Sequence, residues 1–338
     1  MGYELIGITI LWIFLYGYVI VASIDFGAGF FHFFSKLTNR NHRADHLIQR
    51  YLSPVWEVTN VFLVFFFVGI VAFFPETAFY FGTALLVPMS VTLLLLIFRG
   101  SYYAFGTYGA NERLFYSFLY GSTGLLIPAS LSVVLTVAGG GYIVVEHGEV
   151  SLLTTKLLTS PYSWSVIILA IVSVLFISAT FLSNYASKAR DLQALHLLRN
   201  YALTWAAPTI AASVMVLVFL RDHNPSHFQK MMDIGWVFGA SLGFFLIAVY
   251  LLEKGKKLGL AFICVMIQYA FAFFGYGISH LPFLLYPHVS IYDGFTNDAM
   301  ARALLLAFVA GLLLLLPSLY LLMRLFLFTA SYVKGDIK

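Results

Sequence analysis

Cysteine and charge are both scarce in these 338 residues. The single cysteine, Cys264, cannot close an internal disulfide, and thiolate-held zinc or iron–sulfur centres need several. Charged residues make up 10% of the chain against about 25% in soluble domains, and hydrophobic residues 61% against roughly 45–50%. With a mean hydropathy of +0.91, this is the composition of an integral membrane protein, which excludes disorder, coiled coil and a disulfide-stapled secreted scaffold. The formal charge is +4. In a membrane chain such an excess marks cytoplasmic loops rather than nucleic-acid binding.

Regular alternation of apolar and polar residues is also missing, which excludes a transmembrane β-barrel. Long apolar runs take its place. A helix crossing ~30 Å of hydrocarbon needs about 20 such residues. Nine runs of that kind stand at 5–34, 54–74, 78–98, 114–138, 163–183, 201–220, 235–252, 258–280 and 302–328, so the chain reads as a single polytopic membrane domain over 1–338. The first run lacks the basic flank of a signal peptide and exceeds its apolar core, so it counts as a span. Nine spans put the termini on opposite faces. With the N-terminus outside, only Lys156, Arg221, Lys230 and Arg302 of the 19 lysines and arginines fall on the outer side. The positive-inside rule therefore places the N-terminus outside and the C-terminus inside.

An ionisable side chain at bilayer depth costs roughly 2.5–3.5 kcal/mol on insertion scales, so each one is a candidate for function. Asp25 lies within the first run, in Ser23-Ile24-Asp25-Phe26-Gly27-Ala28-Gly29. Gly27 and Gly29 beside it allow another helix to approach closely. If that run instead ended near Phe31, Asp25 would only cap the inner interface. Glu57 follows in Ser53-Pro54-Val55-Trp56-Glu57-Val58-Thr59-Asn60, one turn into a helix that Ser53 caps and Pro54 opens. Trp56, Glu57 and Asn60 share a face, and an acid beside an amide can hold water. The positive end of the helix dipole would favour the same anion with no function attached. Arg99 ends the third run at the same inner level, where it can neutralise Asp25 or Glu57 or extend to the headgroups.

Nine histidines raise the question of haem. His42, His46, His147, His196, His223, His227 and His288 fall in connections or at their edges; His32 is near the inner end of the first run and His280 near the outer end of the eighth. No facing pair at one depth is predicted; His280 alone could offer a single ligand, an interface histidine being the commoner reading. Met215 and Met266 read as packing residues, and no metal site is expected. Gly139-Gly140-Gly141 reads as a flexible turn, because a phosphate loop would continue into Gly-Lys-Ser/Thr.

These residues resemble subunit II of the cytochrome bd-type quinol oxidases. Ser23 to Gly29 is similar to that family's Asp-Gly-Phe-Asp-Leu-Gly-x-Gly. Pro54-Val55-Trp56-Glu57 with Asn60 is similar to its Pro-Val-Trp-Glu-Gly-Asn. Phe98-Arg99-Gly100 with Phe105 is similar to its Arg-Gly-x-x-x-x-Phe, and Tyr286-Pro287 through Ser290-Ile291-Tyr292-Asp293 to its last outer loop. Ser23-Ile24, Thr59 and Gly106-Thr107 depart from the pattern.

The resemblance implies an all-α membrane protein of about nine helices, built as two four-helix bundles plus one peripheral helix. It implies a complex in the bacterial or archaeal cell membrane that oxidises quinol and reduces dioxygen to water. Two b-type haems and one d-type haem belong to the partner, subunit I, and none to this chain. Small single-helix accessory subunits, lipid and a bound quinone are further expected companions. Asp25, Glu57 and Asn60 are then candidates for a cytoplasmic proton route, with Arg99 as charge partner. A secondary transporter is the rival reading, with Pro88 and Pro128 as candidate kinks, though their segments are not paired as in an inverted repeat. A non-catalytic assembly factor, its acids merely capping helices, is a third.

Overall fold

A computed structural model describes residues 2–38, 59–107, 114–322 and 324, and the chain is overwhelmingly helical. The first helix, α1 (Tyr3–Leu37), runs unbroken past Phe31, so Asp25 lies within it, 12 residues from its C-terminal end. After α2 (Thr59–Phe73) come α3 (Pro75–Ala84), α4 (Leu86–Thr107) and α5 (Leu114–Ala138). A hairpin of β1 (Ile143–Glu146) and β2 (Glu149–Leu152) leads to α6 (Thr154–Thr159). Then follow α7 (Pro161–Ala189), α8 (Leu192–His223), α9 (Pro225–Asp233), α10 (Gly235–Lys254) and α11 (Leu258–His280). The described chain closes with β3 (Phe283–Leu285), β4 (Val289–Ser290) and α12 (Asp298–Leu322).

Among the described residues, α1, α5, α7, α8, α10, α11 and α12 are each long and apolar enough to cross a membrane. The second run ends where predicted, at Phe73 of α2, while the third is broken. Phe74 precedes Pro75, and the proline ring pushes it out of helical geometry, to φ −130° and ψ 64°. The chain therefore bends by 117° between α2 and α3. The run read as 78–98 is divided at Leu85, and the apolar stretch of α4 begins at Leu86. Pro88 consequently sits in the first turn of α4, where its missing N–H breaks no helical bond, and it is not a midplane kink. Pro128 does lie inside α5.

The most enclosed helix is α7, which packs against α1, α5, α8 and α11. Its serine- and alanine-rich face lets neighbours come close, which is how helices associate where water gives no drive. Ser178 donates from Oγ to the carbonyl of Ile24 at 2.9 Å. At the inner end Arg190 takes a left-handed conformation, and Asp191 then caps α8 by accepting from Gln193 and Ala194 N–H groups. At the other extreme α12 exposes most of its apolar surface.

The Gly139–Gly141 segment is pinned rather than loose. Gly140 and Gly141 have φ of +92° and +81°, a backbone that strains other residues. Asn224 Nδ2 donates to the Gly139 carbonyl at 2.9 Å, and His223 Nε2 meets the Gly140 carbonyl at 3.0 Å. The β1–β2 turn uses His147 and Gly148, both at positive φ, as a tight two-residue hairpin requires.

Candidate functional site

The Asp25 side chain is 1% exposed and the Arg99 side chain 0%, and they form an ion pair between α1 and α4. Arg99 Nε and Nη2 both reach Asp25 Oδ2 at 3.0 Å. Nη2 also donates to the Asp25 backbone carbonyl at 2.8 Å, and Nη1 to the Tyr120 carbonyl of α5 at 3.0 Å. The phenol of Tyr120 donates to Asp25 Oδ1 at 3.0 Å. Both carboxylate oxygens and all three guanidinium nitrogens are therefore engaged. The guanidinium carbon lies 4.0 Å from the Tyr120 ring centroid and 5.0 Å from that of Phe26, adding cation–π contacts on an otherwise apolar wall.

Glycines make the room. A Cβ on Gly27 would collide with Ser178 and crowd the Val174 carbonyl of α7. One on Gly29 would sit 2.7 Å from the Tyr120 ring and 3.2 Å from Arg99 Nη1, and one on Gly124 would strike the Phe26 carbonyl. Gly27 thus serves the α1–α7 contact, while Gly29 and Gly124 keep open the slot that holds the guanidinium. Asn60 stands at the start of α2 and is half-buried; Trp56 and Glu57 lie outside the described residues.

Several members of this cluster were missed in the sequence. Tyr102 stacks on Tyr120 with ring centroids 4.3 Å apart. The Tyr102 hydroxyl stands 3.4 Å from Nε2 of His32, a fully buried residue, and Ser117 Oγ is 3.5 Å from the same nitrogen. Lys36 Nζ donates to Ser117 Oγ at 3.1 Å. The spacing of Asp25, Gly29, His32 and Lys36 by four, three and four residues puts them on one stripe of α1, a signal that could have found His32. Tyr102 follows Arg99 by three for the same reason. Nothing local singled out Tyr120 among 21 tyrosines.

At the outer end His223 is sandwiched between Tyr142 and Tyr162, with centroids at 4.9 and 4.8 Å. His227, placed in a connection by the sequence reading, stands on α9 with its ring 5.0 Å from that of His280, and its Nε2 bonds Ser279 Oγ at 2.9 Å. Burial, reinforced by the charges of His280 and Lys230, lowers the His227 pKa to about 3. Among the described residues no group of three or more His, Cys, Asp or Glu is disposed to hold a metal ion. A largely apolar cavity of about 320 Å³ lies among α1, α2, α5, α7 and α11. Tyr18 on its wall has a buried hydroxyl without a hydrogen-bond partner among the described residues.

Residues 3–326 match the family model described as cytochrome bd terminal oxidase subunit II. A Bacillus subtilis (strain 168) protein, provisionally named cytochrome bd menaquinol oxidase subunit II, is 35% identical over 340 residues, covering 98% of each chain. A chain in the solved structure of the bd oxidase from Geobacillus thermodenitrificans is 58% identical with a TM-score of 0.86, covering 97% of this chain and 100% of that one.

Proposed function

The chain belongs to the cytochrome bd terminal oxidase subunit II family, and on that premise we propose that it is the haem-free half of its complex and supplies a cytoplasmic proton-uptake route. As part of a quinol oxidase it works with subunit I, which holds the two b-type haems and the d-type haem in this reading. That complex oxidises quinol toward the outer face and reduces dioxygen to water in the bacterial cell membrane. The N-terminus faces outward, and the helices group as two four-helix bundles with α12 peripheral. Small accessory subunits attach at the lipid-facing surface. The apolar cavity beside Tyr18 takes a quinone or a lipid chain, whose polar end the Tyr18 hydroxyl would meet.

The observation that carries the proton route is the carboxylate of Asp25, enclosed within α1 in the inner half and bonded at Oδ1 to an exchangeable phenol proton. Reduction of dioxygen consumes protons, and drawing them from the cytoplasm makes turnover electrogenic. In this reading Arg99 neutralises the carboxylate and sets its orientation. Tyr120 presents the proton, while Glu57 and Asn60 gather water on the inner side.

A second reading is favoured by the complete bonding of the pair: Asp25 and Arg99 clamp α1, α4 and α5 and carry nothing. Asp25→Asn in the assembled oxidase decides between them. Because that change leaves Arg99 an uncompensated buried cation, Asp25→Asn/Arg99→Gln is the matched comparison. The proton route requires oxygen consumption to fall about tenfold or more in both, with haem spectra intact. The clamp reading requires the double variant to turn over normally.

A further inference from the structure

We propose that His32 is the proton-loading group of the inner track, resting on the reading of Asp25 above and extending it toward the cytoplasm. Four features of the structure place it there. His32 is fully buried, seven residues inward of Asp25 on the same stripe of α1. Its Nε2 faces two hydroxyls on two other helices, Ser117 Oγ of α5 at 3.5 Å and Tyr102 Oη of α4 at 3.4 Å. Ser117 in turn accepts from Lys36, in the last turn of α1. Tyr102 stacks on Tyr120, whose phenol is bonded to Asp25. Hydroxyl, imidazole and hydroxyl thus lie in sequence from the Lys36 ammonium to Tyr102, whose ring stacks on the tyrosine that bonds the buried carboxylate.

An imidazole buried only for packing would be expected to face apolar side chains. This one has its nitrogen aimed at two groups that can each take and give a proton. The steps balance without any covalent or redox change. A proton from cytoplasmic water enters at Ser117, whose oxygen passes its own proton to His32 Nε2. The ring holds it as imidazolium and later releases it from the same nitrogen to the Tyr102 oxygen, which gives up its own phenol proton to a water molecule on the Asp25 side. Ser117, His32 and Tyr102 all end as they began. Both contacts exceed the ≈ 2.6–3.2 Å at which protons pass, so each transfer waits on a small closing movement of the ring or hydroxyl. The lysine is not consumed: it orients the serine. Among the described residues, the charged or titratable groups in the cluster around His32 are Lys36 and Asp25 on α1, Arg99 and Tyr102 on α4, and Tyr120 on α5. From α8, Tyr201 stacks on Phe31 instead, at 5.2 Å.

The experiment uses the assembled oxidase with His32→Gln, Tyr102→Phe and Asp25→Asn/Arg99→Gln, each read by haem spectrum and by oxygen consumption from pH 6 to 9. His32→Gln keeps a hydrogen-bonding side chain that cannot load a proton. It should lower turnover about tenfold, with the deficit widening as pH rises and bulk protons become scarce. Tyr102→Phe keeps the ring stack and should show the same widening deficit, which preserves the test if His32→Gln does not assemble. Wild-type turnover and pH profile in either assembled variant, with the Asp25 variant slow, overturn the role of His32 and leave the Asp25 route standing. Normal turnover in the Asp25 variant as well removes the route itself.

Discussion

Arg99 ties α4 to both Asp25 of α1 and the Tyr120 carbonyl of α5, and its removal would be felt first in stability. Arg99→Met would strand a buried carboxylate and cost about 3–5 kcal/mol, whereas Asp25→Asn/Arg99→Met should recover much of it. Thermal unfolding of the detergent-solubilised complex measures both, and equal losses would mean that the pair is not coupled. His227, at the opposite end, yields a pH dependence. Its folded pKa of about 3 lies below the usual 6.5, so the unfolded state binds more protons between those values. Stability of the outer cap is therefore complete above pH 6.5 and falls as pH drops toward 3. Amide exchange in α9 should accelerate over that window in the native protein and much less in His227→Gln. A flat profile would contradict the assignment. Asp25 was legible in the sequence because an acid inside an apolar run stands out. Tyr120 was not, since its partners come from helices dozens of residues away, whereas the stripe that His32 shares with Asp25 marks that histidine.

At the scale of elements, small residues decide which helices touch. Gly27 faces Ser178 and the Val174 carbonyl, whereas Gly239 on α10 has nothing within 4 Å of an added Cβ. Gly27→Ala should cost about 1–3 kcal/mol by forcing α1 off α7, while Gly239→Ala should be neutral or gain up to about 1 kcal/mol from helix propensity. Paired melting curves check this contrast, and equal effects would refute the close packing. The same scale shows where apolar periodicity runs out. Length and hydropathy located α1, α5, α10 and α11 within about three residues at each end, because each is a single apolar cylinder. They missed the polar end of α7 and the polar first turns of α8, which begins at Leu192 rather than 201. They did not divide α3 from α4, since the residues on both sides of Leu85 are apolar. Nor did composition reveal the order of Gly139–Gly141, which depends on His223 and Asn224 from a distant helix.

For the whole molecule, the arrangement of basic residues gives an orientation that labelling can test. Cys264 is buried, so new cysteines can be read against a low background. Lys156→Cys should react with an impermeant maleimide on intact cells, and Lys256→Cys only after the membrane is opened; the reverse pattern would invert the topology and put Asp25 in the outer half. Proton entry from the inside is the central claim, and time-resolved membrane-potential recording in proteoliposomes tests it most directly. The fully reduced oxidase, mixed with dioxygen, should generate potential as protons are taken up from the cytoplasmic side. In Asp25→Asn/Arg99→Gln that electrogenic phase should be lost or slowed at least about tenfold while the haems still bind dioxygen at the native rate. An electrogenic phase of native rate and amplitude in that variant would contradict the route through this subunit.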